Sequence, residues 1–113
     1  MVSRAYIPHR GDVVWLDFNS QSGREQAGRR PALVLSPSAY NGRALLAVVC
    51  PISTKSKGYP FEMPIPRGHP VKGTVLTDHV RSVDWSTRKI EYWCDLPDEF
   101  LDLVSRRICK LIS

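Results

Sequence analysis

Acidic residues are scarce beside basic ones in this chain: 11 Asp and Glu stand against 16 Lys and Arg, a formal charge of +5 over 113 residues. That bias fits a polyanionic partner such as nucleic acid. Cysteine is sparse too, with Cys50, Cys94 and Cys109 at wide, irregular spacing. No Cys-x-x-Cys and no nearby His pair accompany them, so neither a zinc site nor a disulfide framework is expected, and no cofactor is called for. The thiols are expected to be reduced, with Cys50 and Cys109 packed in the core. Long apolar runs are missing. Residues 44–52, broken by Pro51, fall far short of a bilayer span, and the N-terminus lacks the basic-then-apolar order of a signal peptide. The expectation is a cytoplasmic protein without a membrane partner. There is no internal repeat, low-complexity tract or linker, and the length fits one domain over residues 1–113.

What is present is a succession of short apolar runs separated by polar loops. Hydrophobic residues at 42% and charged residues at 24% are ordinary for a folded chain, so a packed core is expected. Gly11-Asp12 opens Val13-Val14-Trp15-Leu16-Asp17-Phe18, a largely buried first strand. Residues 32–36 read as a second strand, pairing with the first as a hairpin whose polar tip is about 12 residues long and is closed by Pro31. Residues 37–42 hold a turn signal at Asn41-Gly42, with room for one helical turn before it, and residues 44–50 read as a third strand ended by Pro51. Residues 61–65 alternate like an edge strand. Arg67-Gly68-His69-Pro70 turns the chain, and residues 73–85 form one long or two short strands with Asp78 and His79 pointing to opposite faces. A turn and a last short strand occupy residues 86–94. From Pro97 onward Phe100/Leu101, Val104, Ile108 and Leu111/Ile112 recur at helical spacing, with Asp98 and Glu99 early and Lys110 late, predicting an amphipathic C-terminal helix laid on the sheet. The pattern predicts a small, mainly β, barrel-like domain with short helices.

Two polar segments hold the chemistry. Residues 23–31 place Glu25, Arg29 and Arg30 between two glycines and Pro31, so that Arg30 stands where the second strand begins. A guanidinium at such a junction grips phosphate oxygens in its planar fork, and a carboxylate nearby can exchange a proton. Residues 53–60 combine Ser53, Thr54 and Ser56 with Lys55, Lys57 and Tyr59, a mixture that suits a phosphodiester, with Tyr59 offering a face to an unpaired base. Either segment alone reads equally well as a solvated charged surface loop.

Taken together and in order, these residues resemble the MazF/PemK family of toxin endoribonucleases, and the MazF branch in particular. The resemblance rests on Gly11-Asp12 before Trp15, Asp17 and Phe18, on Gly23-x-Glu25-Gln26-x-Gly28-x-Arg30-Pro31, and on Leu35-Ser36-Pro37 with Tyr40-Asn41. It continues through residues 51–54, Ser56-Lys57-Gly58-Tyr59-Pro60-Phe61-Glu62 and residues 73–82, reaching about Trp85; the C-terminal helix matches in kind. It implies an SH3-like, CcdB/PemK-type twisted and partly closed antiparallel sheet, and a homodimer. It also implies sequence-specific, metal-independent cleavage of single-stranded RNA, usually mRNA, through the 2′-hydroxyl, and control by an acidic MazE-like antitoxin that lies over the RNA site.

Residue by residue, the resemblance puts Arg30 on the scissile phosphate and makes Glu25 the base. Ser53 or the adjacent Thr54 supplies the catalytic hydroxyl. Asp78 matches a base of the Kid branch, although Leu76 stands where that branch has Arg, and His79 replaces the usual Gln. Lys57, Tyr59, Asp78, His79, Arg81 and Arg29 are expected to bind substrate. Two alternatives share the architecture: a CcdB-like gyrase-binding toxin, whose Trp-Gly-Ile tail is not matched by Leu111-Ile112-Ser113, and a non-catalytic RNA-binding barrel.

Overall fold

The apolar alternation along the first strand sends Val13 to one face of a sheet and Val14, Leu16 and Phe18 to the other, and each of these four side chains is buried. A strand buried on both faces needs a covering layer on each side. The computed structural model, which describes residues 6–18 and 28–113, shows how this is met. Its strands are β1 (Asp12–Phe18), β2 (Gly28–Val34), β3 (Ala47–Ser53), β4 (Glu62–Pro64), β5 (Thr74–Leu76), β6 (Arg81–Val83) and β7 (Glu91–Asp95). Helix α1 (Ser38–Ala44) joins β2 to β3, and α2 (Asp98–Ile112) ends the chain. Among the described residues every pairing is antiparallel, in the order β4-β5-β3-β2-β1-β7, with β6 also on β3.

The expected barrel-like curvature stops short of closure, since β4 and β7 end the path without pairing to each other. One face of the sheet packs Val13, Leu33, Cys50, Ile52 and Val75 under Phe100, Leu101 and Val104 of α2. The other gathers Leu16, Phe18, Val34, Val49 and Val83 around Trp85.

Two prolines expected to end segments lie inside strands instead. Pro31 pairs with Trp15, and Pro51 with Ala32. Among the described residues, each sits where one edge of its strand is open. The β2–β3 ladder begins only at Ala32, and on its other edge β3 pairs with β6 at residues 47–49 and with β5 at residues 52–53, leaving Pro51 in the gap. A missing N–H costs little where no partner waits for it. Strand β2 thus begins at Gly28, earlier than expected, and the rest of the expected hairpin tip, residues 19–27, lies outside the described residues.

Asn41-Gly42 is not a turn but part of α1. Asn41 is fully buried: its amide donates to the carbonyls of Pro8 (2.8 Å) and Ser36 (2.9 Å), its Oδ1 accepts from the Ser36 hydroxyl (2.6 Å), and its own carbonyl accepts the Trp85 indole N–H (3.1 Å). The residue that advertised a turn is used as a polar bolt between four segments. Leu45, at φ 59°, then ends the helix in the left-handed conformation, so β3 starts later than its apolar run suggests.

Helix α2 follows the predicted stripe as far as Ile108. Beyond that point it outruns the sheet, leaving Leu111 and Ile112 exposed, and Cys109 is exposed where burial was expected. Cys50 is buried as anticipated, and Cys94 is buried as well. Leu101 is completely buried beneath the sheet. Leu101→Ala is expected to lower unfolding free energy by about 2–5 kcal/mol, measured by chemical denaturation, because the void under α2 is closed by β-sheet that cannot collapse into it.

Candidate active site

Three segments meet at one open groove. Strand β2 delivers Arg30, opposite Leu16 in the β1–β2 register. The end of β3 delivers Ser53, from which the chain runs out through the loop that holds Thr54, Lys55, Lys57 and Tyr59. A 3-10 turn, Thr77–His79, closes the third side with Asp78 and His79. All of these side chains line a cleft of about 560 Å3 whose remaining wall is Glu62 and Leu76.

The turn corrects the expectation for Asp78 and His79, while the strands around it follow one of the two arrangements expected for residues 73–85. These form two short strands with a 3-10 turn between them, so Asp78 and His79 are not alternating strand residues and both face the same cleft, His79 Nε2 lying 3.9 Å from Asp78 Oδ1. The turn is fixed from below. Thr77, wholly buried, donates its backbone N–H (3.1 Å) and its hydroxyl (2.6 Å) to the Phe61 carbonyl, tying the Asp78 side of the groove to the loop side. Beneath the turn, burial, aided by the Asp78 charge, pushes the Cys50 thiol up to about 12, so this cysteine is an inert packing group.

Within the loop the hydroxyls have different surroundings. Ser53 Oγ accepts the Lys55 N–H (3.0 Å) and donates to the Lys55 carbonyl (3.2 Å), forming a tight turn off the end of β3, whereas Thr54 is exposed. The Glu62 carboxylate accepts from the Ser56 hydroxyl (2.9 Å), from the Lys57 N–H through both oxygens (3.1 Å each) and from the Gly58 N–H (3.1 Å). Desolvation pushes this carboxyl upward, but the Lys57 N–H, the Ser56 hydroxyl, the Gly58 N–H and the Lys57 charge outweigh it and hold Glu62 below its ordinary value.

The close approach of two backbones sets the position of Ser53. A Cβ on Gly73 would stand 2.3 Å from the Ser53 carbonyl oxygen, and Gly73 has φ +130°, so only glycine lets β5 start against the end of β3.

Not every expected residue reaches the cleft. Arg29 points away from it, donating to Asp17 (3.1 Å) and Glu91 (3.2 Å) across β1 and β7. Arg81 lies with its guanidinium 5.6 Å from the centroid of the Phe18 ring. Glu25 lies outside the described residues. In the other direction, Lys55, Leu76 and Glu62 line the groove without having been named among the expected site residues. Lys55 was visible as one of two lysines in the loop; Glu62 stood in the quoted motif, but nothing in the spacing told where its carboxylate would point. Among the described residues no three His, Cys, Asp or Glu side chains gather as metal ligands.

A small open antiparallel sheet with a cation-bearing groove beside the end of its central strand defines a class, and the chain belongs to the family of PemK-like, MazF-like toxins of type II toxin–antitoxin systems, whose sequence model matches residues 9–112. Over its whole length, and the whole length of the relative, it is 43% identical to the endoribonuclease toxin MazF of Escherichia coli K12. The crystal structure of MazF from Deinococcus radiodurans superposes with a TM-score of 0.91 at 47% identity, covering 96% of this chain and 98% of that one. A MazE–MazF complex from the same organism matches with a TM-score of 0.86 at 47% identity, over 96% of this chain and 97% of that one.

Two outcomes follow from the geometry of the groove. Gly73→Ala is expected to cost about 2 kcal/mol or more in unfolding free energy, from both the φ and the collision with Ser53, and to shift the amide resonances of Ser53 and Thr54. Because Glu62 is lowered in the folded state, its stabilisation is complete above the unfolded carboxyl value of about 4.3 and fades as pH falls through the lower folded value. The stability gap between the protein and Glu62→Gln, measured by denaturant unfolding, is therefore expected to be constant near neutrality and to close in acid.

Proposed function

We propose that the groove is where this endoribonuclease toxin binds single-stranded RNA and cuts it, with the RNA's own 2′-hydroxyl as nucleophile. The 2′-oxygen gives its proton to a carboxylate base and bonds to the adjacent phosphorus, the bond to the 5′-oxygen breaks and that oxygen takes a proton from water, and the products carry a 2′,3′-cyclic phosphate and a 5′-hydroxyl. The observation that carries this reading is the convergence of Arg30, the Ser53–Thr54 pair, Lys57, Tyr59 and Asp78 from three segments on one open cleft.

Charge stabilisation, a phosphate-directed hydroxyl and a stacking face each have a candidate there. Arg30 holds the non-bridging oxygens as charge builds in the phosphorane; a guanidinium keeps its proton, so its part is electrostatic. Thr54 supplies the hydroxyl to the phosphate, since that of Ser53 is engaged in the turn with Lys55. Lys57 adds charge along the backbone, and Tyr59, 58% exposed, gives an unpaired base a ring to stack on, which favours a single strand over a duplex. Two carboxylates are available to take the 2′-hydroxyl proton: Glu25 by resemblance and Asp78 by its place in the cleft. Glu62 is set apart from that task by the hydrogen bonds it already accepts.

The same resemblance makes the working unit a cytoplasmic homodimer of single toxin domains, silenced by an acidic antitoxin over the groove. The +5 charge of the chain and the MazE–MazF complexes of its structural relatives support that partner. Among the described residues no helix is long and apolar enough to cross a membrane. The full-length likeness to endoribonuclease toxins speaks against the gyrase-binding and non-catalytic alternatives.

The test begins with cleavage ends mapped on a long natural RNA by primer extension, followed by an oligonucleotide spanning one site. Cleavage in EDTA with a cyclic-phosphate end is expected, and none when the 2′-hydroxyl at the site is replaced by hydrogen; cutting of that deoxy-substituted strand would overturn the mechanism. Arg30→Ala is expected to reduce kcat about 10²-fold or more with the circular dichroism unchanged. Comparing Glu25→Gln with Asp78→Asn identifies the base as the one whose loss removes the acid limb of the pH–rate profile.

A further inference from the structure

Among the described residues, the loop that carries Lys57 and Tyr59 has no strand partner between the end of β3 at Ser53 and the start of β4 at Glu62. A polar loop with its backbone open to water would sample many conformations, and ordering it on RNA would subtract from affinity. Here it is gathered instead around one side chain. Glu62 is held by the sheet, paired with Leu76 of β5, and its carboxylate accepts donors from three consecutive residues, Ser56, Lys57 and Gly58. Gly58 turns its N–H into this cluster at φ 75°, a conformation that favours glycine. Successive N–H groups converging in this way form an anion nest, filled by a carboxylate of the same chain.

We propose that Glu62 is a positioning residue for RNA binding: by closing the nest it sets the Ser56–Gly58 segment so that Lys57 and Tyr59 stand at the groove before RNA arrives. This rests on the reading of the groove as an RNA site. Because the carboxylate already accepts four hydrogen bonds, its part is geometric, and its loss should appear in binding more than in the chemical step. Two other tethers confine the effect to the nest. Phe61 is held by Thr77 through its carbonyl, and the Pro60 carbonyl accepts from the Arg107 guanidinium on α2, so the far end of the loop stays docked when Glu62 is removed.

A rival use of the same donors has the opposite sign. An RNA phosphate could take the nest, with Glu62 as a competing internal anion; removing the carboxylate would then tighten binding. The depth of the bonding around Glu62 favours positioning.

The experiment measures the affinity of the full-length protein for an RNA oligonucleotide made uncleavable by a 2′-deoxy substitution at the mapped site, together with amide exchange at Lys57 and Gly58 without RNA. Glu62→Ala is expected to weaken binding about tenfold, to raise KM in step with kcat nearly unchanged, and to speed exchange at both amides. Glu62→Gln should fall between, since its amide oxygen accepts while its NH2 faces donors, and it serves should the alanine variant fold poorly. Tighter binding in Glu62→Ala overturns the proposal in favour of the phosphate nest, and unchanged exchange overturns it outright. Faster exchange with unaltered affinity overturns the link to RNA if Arg30→Ala does weaken binding. If Arg30→Ala is equally silent, the reading of the groove as an RNA site fails, and the positioning role in RNA binding fails with it.

Discussion

The partner exchange along one edge of β3 is the constraint on which the rest depends. One edge of β3 is paired with β2 through residues 49–51; the other pairs with β6 through residues 47–49 and with β5 through residues 52–53. In the space between β5 and β6 the chain has room for a 3-10 turn, and that turn carries Asp78 and His79 to the groove. The same gap accommodates Pro51, and the same strand end presents Ser53. Had β5 and β6 been one continuous strand, Asp78 and His79 would have pointed to opposite faces.

Around that strand the groove is assembled from cross-links, each of them local and polar. Thr77 joins the turn to Phe61, Glu62 draws in Ser56, Lys57 and Gly58, and Ser53 folds back on Lys55. Gly73 allows the end of β3 and the start of β5 to touch. The apolar layers set where the strands lie, while these few contacts set where the groove's side chains stand. Hydrophobic burial is non-directional and hydrogen bonds are not, so the division of labour is a physical one.

The relation of Arg30 to Arg29 shows the same economy. Adjacent strand residues face opposite ways, so β2 sends Arg30 to the groove and Arg29 to the carboxylates of Asp17 and Glu91. Two neighbouring guanidiniums thus avoid repelling each other at one site, and the second fastens β1, β2 and β7 together at the surface.

Much of this was legible in the amino-acid order. Strand β1, the edge strand at β4, and the helix from Pro97 follow from apolar spacing, because burial on a period of two or 3.6 residues leaves its mark directly on the letters. The groove's Arg30, Ser53, Thr54, Lys57 and Tyr59 could be picked out because their residue types and order match a family. What the letters did not disclose depended on neighbours distant in sequence. Pro31 and Pro51 read as strand breakers until the open edges beside them are known. Asn41 reads as a turn until Pro8, Ser36 and Trp85 are seen to meet it, and Cys109 and Ile112 read as core until α2 is seen to outrun the sheet. By itself the sequence determined a small, mainly β chain with a basic, phosphate-suited pair of loops and a closing helix. Only the tertiary structure decided that Asp78 and His79 share one face and that Glu62 gathers the loop, because both depend on which strand edges are left unpaired, a property of the sheet and not of any one segment.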